Sequence, residues 1–420
     1  MSKTYVTILG KAVRKVAKLR GGGSALPGLV VERIDPHFIK DTLASLPHGV
    51  VVISGTNGKT TTTKMVVELL ESQGMRVFTN KTGSNFTRGV AAALLGEVDV
   101  HGKLTADIAV LELDEAHAVH FVKTIPPRYS LILNVMRDQL DRFGEIDTTT
   151  KLLQTIASAT TDTVVLNRED PRIARIALSS QSTCFFGLAP ALLATFPSDD
   201  NLHGGVKVAS SEPADVELRD FHGQTATFRI GARDISTRLK LTGIYNVYNA
   251  AAALALVRTI LGKDTDDMKL VTALSKVTPA FGRGETIVVD GQPVELVLVK
   301  NPSGFRLGLQ SFAPAGYATM IAINDNYADG RDMSWLWDVS FESLHESSVD
   351  TLAGIRAYDM ALRLQYDEVP FTHVIPSLPK AVSSFLAGNK QSPKRIYCTY
   401  TAMLTIRKEL SKRADVKAIG

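Results

Sequence analysis

Residues 51–63, VVISGTNGKTTTT, restrict the fold more than any other stretch of this chain. Four β-favouring residues at 50–53 run into Gly55 and Gly58. Lys59 and a run of threonines then lead into the apolar-periodic segment KMVVELLESQ at 64–73. Strand, glycine turn, Lys-Thr and helix follow in the order of a phosphate-binding loop. Backbone N–H groups of Gly55, Thr56, Asn57, Gly58, Lys59, Thr60 and Thr61 are expected to wrap a polyphosphate, helped by the positive end of the helix dipole. Lys59 would reach the β- and γ-phosphates of ATP, and the Thr60 hydroxyl would bind Mg²⁺. The spacing is GxxGK[ST], shorter than the common GxxxxGK[ST] loop.

From residue 49 onward strands and helices alternate. Strands are expected at 50–54, 75–79, 107–113, 129–134 and 162–166, with helices at 59–73, 86–95 and 149–159. Such alternation specifies a mostly parallel sheet with helices on both faces, which binds ligands at the carboxyl ends of its strands. The segment 188–235 departs from it, being rich in Ser, Asp, Gly and Pro, and reads as an insertion that ends in a hairpin around Gly231. An Ala-rich buried helix follows GIYNVYN, and FGRGE at 281–285 closes the unit. A second α/β unit has strands at 286–290, 294–300, 317–324, 371–375 and 394–399, with helices at 303–313, 355–367, 378–388 and 401–413. The expected organisation is an N-terminal basic helix and linker at 1–48, an ATP-binding domain at 49–282 and a C-terminal α/β domain at 283–420.

The first 20 residues form a basic amphipathic helix in which Lys3, Lys11, Arg14, Lys15, Lys18 and Arg20 share a segment with Tyr5, Ile8, Leu9, Val13, Val16 and Leu19. It could pack on its own domain or contact an anionic membrane surface as a peripheral anchor. GGGSALPG at 21–28 reads as a flexible break. A net charge of +4 over 420 residues gives no argument for nucleic acid. Two cysteines exclude a disulfide framework and a four-cysteine zinc site, and no zinc site is expected. No secretory signal or run of about 18 apolar residues is seen, so the expected compartment is the cytoplasm.

Mg²⁺ beside a phosphate loop needs a carboxylate. The segment AVLELDEAH at 109–117 ends a strand in acids, which makes Glu112 the first candidate ligand and Glu115 the second. The next strand, LILNVMRDQLDRFGE at 131–145, crowds Asn134, Asp138, Gln139, Asp141 and Arg142 at its end. With Asn80, Lys81 and Asn85 these are candidates to line the γ-phosphate and the acceptor.

GTNGKTTT, LELDEAH, NVMRDQLDRFGE and GIYNVYNAAAA together resemble the central ATPase domain of the Mur ligase family. The resemblance implies a Mur ligase-type central domain followed by a Rossmann-like C-terminal domain, and a carboxylate activated as an acyl phosphate. It implies adenine contacts from Asn246 and Asn249, and places Arg283 near the nucleotide. The chain departs from the family pattern at Gln139, where a His is usual. Its loop also begins at Gly55, which leaves no room ahead of it for the family's UDP-precursor domain.

The second half narrows the resemblance. AINDNYADGRDMSWLWDVSFE at 322–342, with KNPSGF at 300–305, is similar to the C-terminal domain of the family's amidotransferase branch, the ligase-like subunits of lipid II isoglutaminyl synthases. That branch works with a GatD-type class I glutaminase, whose Cys–His pair is completed by an Asp of the ligase-like chain. Asp332 in GRDMSW matches that Asp, and Asp329 is the second choice. Cys184 and Cys398 lie in apolar, strand-like contexts, so neither reads as a glutaminase nucleophile. The resemblance thus implies ATP-dependent amidation of the α-carboxylate of D-glutamate in lipid II, with Lys59, Glu112 and Asp332 as the residues carrying the chemistry. The alternatives are a stand-alone Mur or folylpolyglutamate-type amino-acid ligase, and a nucleotide-sensing scaffold for a glutaminase.

Overall fold

The computed structural model describes residues 3–19, 26–80, 86–136, 146–176, 178, 181–196, 212–241, 243–262, 265–278, 283–312 and 315–416. Three helices precede the first strand: α1 (Lys3–Leu19), α2 (Leu26–Ile34) and α3 (Phe38–Leu43). Residues 26–28 are therefore helical, which corrects part of the expected flexible break; residues 21–25 lie outside the described residues. Pro27 is tolerated because the first turn of a helix has no partner for its N–H.

The chain then alternates through β1 (Val50–Ser54), α4 (Lys59–Ser72), β2 (Val77–Thr79), α5 (Thr87–Glu97), β3 (Ile108–Glu112), α6 (Glu115–Thr124), β4 (Tyr129–Ile132), α7 (Ile146–Ser158), β5 (Thr163–Asn167), α8 (Pro171–Ala174) and β6 (Ser182–Leu188). An antiparallel run of β7 (Val216–His222), β8 (Thr225–Ile230) and β9 (Arg233–Arg238) widens the sheet, which has the order β2-β3-β1-β4-β5-β6-β7-β8-β9. The hairpin around Gly231 is thus the edge of the sheet itself. Two helices close the unit, α9 (Ile244–Leu261) and α10 (Asp267–Leu274).

Strand β1 lies between β3 and β4, both parallel to it, and all five of its residues are buried. Successive side chains on a strand point to opposite faces. Val51 and Ile53 accordingly join a core formed with α4 and α9, while Val50 and Val52 join the core beneath α1, α2, α3 and α5. Gly28 lets α2 lie against the backbone of α5, since a Cβ there would stand 1.9 Å from the Arg88 carbonyl oxygen. Helix α9 is long and apolar enough to cross a membrane, but two thirds of it is buried against the sheet, so it serves as a core helix.

The second sheet contains β10 (Arg283–Val289), β11 (Gln292–Leu298), β12 (Ala318–Ala322), β13 (Val349–Ala353), β14 (Phe371–Ile375) and β15 (Lys394–Cys398), in the order β10-β11-β15-β12-β13-β14. Only the β10–β11 pair is antiparallel. Helices α11 (Pro302–Ser311), α12 (Ala357–Tyr366), α13 (Leu378–Gly388) and α14 (Tyr400–Leu410) cover its faces. Strand β13 was not expected. Its sequence VDTLA has weak β propensity, and its place between β12 and β14 overrides that preference.

Candidate functional site

The loop between β1 and α4 leaves the carboxyl end of the central strand. Gly55 and Gly58 have φ of 129° and 91°, a region that residues with a Cβ rarely enter. Space also demands glycine at 58, because a Cβ there would lie 2.7 Å from the side-chain oxygen of Asn249. Asn134, at the end of β4, holds the loop from beneath. Its Oδ1 accepts from the Asn57 N–H at 2.8 Å, its Nδ2 donates to the Asn57 carbonyl at 3.0 Å, and its carbonyl accepts from the Thr56 N–H. Asn134 thus positions the loop, with both ends of its amide engaged by protein. Asn80 likewise exchanges two bonds with the backbone of Glu112. Lys81, Asn85, Asp138, Gln139, Asp141 and Arg142 lie outside the described residues.

Lys59 is buried, and its Nζ donates to the Gly55 carbonyl at 2.5 Å and to Glu115 Oε1 at 3.1 Å. Thr60 donates its hydroxyl to Glu112 Oε1 at 2.9 Å. Parallel register explains the meeting, because Glu112 pairs with Ile53 and the loop begins two residues later. A hydroxyl and a carboxylate side by side at a phosphate loop are the hard oxygen donors that Mg²⁺ takes alongside phosphate oxygens and water. Thr61 Oγ1 and Asp114 Oδ1 are buried nearby in sequence without a hydrogen-bond partner. Among the described residues no three His, Cys, Asp or Glu side chains form a metal-holding group. Thr60 and Glu112 are the residues that could hold such an ion, and Glu115 is engaged by Lys59.

An open cleft runs from the loop toward the second sheet, lined by Asn57, Asn246, Asn249, Lys300, Leu307 and Phe312 among others. Asn246 and Asn249 lie on the first turns of α9, and Asn249 packs on Gly58. Gly284 lines the cleft, while of Arg283 only the backbone, at the start of β10, is described. Asn301, at the N-terminus of α11, was missed in the sequence. Its Oδ1 accepts from the Gly304 N–H and from Asn57 Nδ2, and its Nδ2 donates back to Asn57 Oδ1. Asn-Pro before a helix is a legible capping signal, but its partner 244 residues away is not.

The DGRD loop separates its two acids. Asp329 is buried and accepts from the Thr401 N–H, the Thr401 hydroxyl and the Asn326 N–H. Burial raises its carboxyl pKa, opposed by the Thr401 bonds. Asp332 is half-buried and accepts from the Ser334 N–H at 2.9 Å, opening the short helical turn Ser334–Asp338. Both cysteines are buried. Burial pushes the Cys184 thiol up to about 12 and raises that of Cys398 as well.

A nucleotide loop at the carboxyl end of a parallel sheet, closed by a second α/β sheet, is the architecture of the Mur ligases. Residues 53–257 match the Mur ligase middle domain and residues 298–403 match the MurT ligase C-terminal domain. Solved structures share the fold. The pseudomurein peptide ligase type C of Methanothermus fervidus is 19% identical with a TM-score of 0.69, over 89% of this chain and 81% of that one. The MurF ligase of Thermotoga maritima in complex with ADP is 19% identical with a TM-score of 0.66, over 90% and 84%. The lipid II isoglutaminyl synthase (glutamine-hydrolyzing) subunit MurT of Streptococcus pneumoniae is 32% identical over 99% of both chains, and its counterpart in Staphylococcus aureus strain COL 28% identical over 86% and 87%. The chain belongs to the MurT family of Mur ligase-like enzyme subunits, a ligase family of peptidoglycan biosynthesis in which ATP binding is typical.

Proposed function

We propose that this chain is the ATP-using half of a two-protein amidotransferase acting on lipid II. The observation that carries the reading is a division of labour. The chain has a well-formed nucleotide loop, yet its only two thiols are buried with raised pKa, the opposite of an activated glutaminase cysteine. A carboxylate oxygen of the substrate, the α-carboxylate of D-glutamate in the stem peptide, attacks the γ-phosphorus of ATP. ADP leaves and an acyl phosphate forms. Ammonia then attacks the carbonyl carbon, phosphate leaves, and a proton is lost to give the amide of D-isoglutamine. Lys59 and the loop N–H groups of residues 55–61 offset charge on the transferring phosphoryl group. Thr60 and Glu112 would hold Mg²⁺, which when bound neutralises phosphate charge. Asn246 fits the nucleotide side of the cleft and Asn249 supports the loop; for Arg283 a nucleotide contact rests on the family resemblance alone.

Ammonia would come from a GatD-type class I glutaminase. Asp332 is the better candidate to complete its Cys–His pair, because Asp329 is buried and fully engaged by Thr401 and Asn326. The surface near Asp332 suits a partner. Trp337 and Tyr366 meet edge-to-face at 5.6 Å over Arg363, and Tyr358 and Leu362 continue the exposed face of α12. Exposed aromatic anchors of this kind are typical of interface cores. We place the reaction in the cytoplasm, at the inner face of the membrane.

The test is a co-purified pair of this chain and the glutaminase, assayed for amidation of lipid II with glutamine or with ammonium. Asp332→Asn should lower glutamine-driven turnover by roughly 100-fold or more while ammonium-driven turnover persists. Equal loss with both nitrogen sources would assign Asp332 to ligation or folding. Full amidation by this chain alone with glutamine would overturn the division of labour.

A further inference from the structure

The first 31 residues carry six Lys or Arg and no Asp or Glu, whereas the whole chain has a net charge of only +4, so the remainder is slightly acidic. The same segment contains α1, whose apolar arc is wider than the protein surface it covers. Val6, Gly10 and Ala17 are buried on one side, with Gly10 pressed against Leu95 and Val31. At ~100° per residue, Tyr5, Ile8, Ala12 and Val16 form a second stripe away from that contact. Tyr5 is 57% exposed, Ile8 53% and Val16 50%. Exposed Lys15 borders the stripe. Lys11 and Arg14 reach the end of α5, where Lys11 Nζ donates to the Val98 carbonyl and the Arg14 guanidinium lies against Gly96.

We propose that the outer face of α1 docks on an anionic phospholipid bilayer. An apolar stripe bordered by Lys15, on a segment with six cations and no acids, is the design of a helix lying in the headgroup region. Charge selects this occupant over a second copy of the chain, because pairing would bring together two segments that each carry six cations and no acid. The inference stands on α1 alone and does not depend on the substrate proposed above.

The test is co-sedimentation of the full-length chain with phosphatidylcholine vesicles, with or without phosphatidylglycerol. The chain should bind the phosphatidylglycerol vesicles preferentially and lose binding as salt rises. Ile8→Asp with Val16→Asp should weaken binding about tenfold or more. Lys15→Glu should weaken it less and flatten the salt dependence. Because these side chains are exposed, thermal melting should be unchanged, and ATP binding at the distant loop with it. Absence of binding to anionic vesicles, or equal binding by the double variant, would overturn the proposal. So would vesicle-free self-association or partner capture that the double variant abolishes, since the stripe would then be covered by protein.

Discussion

Asn57 in the phosphate loop and Asn301 at the start of α11 exchange two side-chain amide hydrogen bonds, at 3.0 and 3.2 Å, across the cleft between the two sheets. The loop that is to hold a nucleotide is therefore tied directly to the second α/β unit. Asn301 is fully buried, so each of its polar atoms must find a partner within the protein.

A double-mutant cycle on this pair should show coupling of about 1 kcal/mol in thermal unfolding. Asn57→Ala should raise the KM for ATP more than it lowers kcat. Asn301→Ala should lower stability further because it also removes the cap on Gly304. Purely additive effects would mean that the two units move independently.

Lys59→Ala should abolish ATP-dependent turnover, and it should also destabilise the chain by about 3 kcal/mol, because Glu115 is left buried without its cation. Adding Glu115→Gln should restore much of the melting temperature and none of the activity. Recovery of activity in the double variant would remove Lys59 from the phosphate site.

Glu112→Gln keeps the shape of the side chain and the contact to Thr60 but removes the charge. Turnover should then require a higher Mg²⁺ concentration, by about tenfold or more, with little change in melting. An unchanged Mg²⁺ titration would move the ion away from Glu112.

Asp329→Ala should destabilise the C-terminal unit by about 2 kcal/mol, because the Thr401 and Asn326 donors lose their acceptor. Turnover should fall alike with glutamine and ammonium. A selective loss with glutamine would give Asp329 the part proposed for Asp332.

Arg76 holds the Asp107 carboxyl down to about 2 through its guanidinium and its backbone N–H. A carboxylate lowered in the folded state stabilises fully above its unfolded value near 3.8, and that contribution is lost as pH falls toward 2. Arg76 is exposed and Asp107 only half-buried, so solvent screens the pair and the effect should be small. Asp107→Asn should melt slightly earlier at neutral pH, and the difference should vanish near pH 2. A constant difference across that range would rule out the linkage.

Patterns local in sequence were legible: the strand, loop and helix at 50–72, the acid-ended strand at Glu112 and the buried helix α9. Each rests on near-neighbour rules of glycine conformation, periodicity and capping. Tertiary structure alone decided how similar residues divide their work. Asn134 and Asn80 hold backbone, Glu115 neutralises Lys59, and Glu112 meets Thr60. In DGRD, two aspartates three residues apart are indistinguishable by type, yet Thr401 buries and engages Asp329 while Asp332 keeps partial exposure. Amides and carboxylates form strong short-range bonds to whatever the fold brings within about 3 Å, and no local pattern records a partner that lies from 32 to 244 residues away.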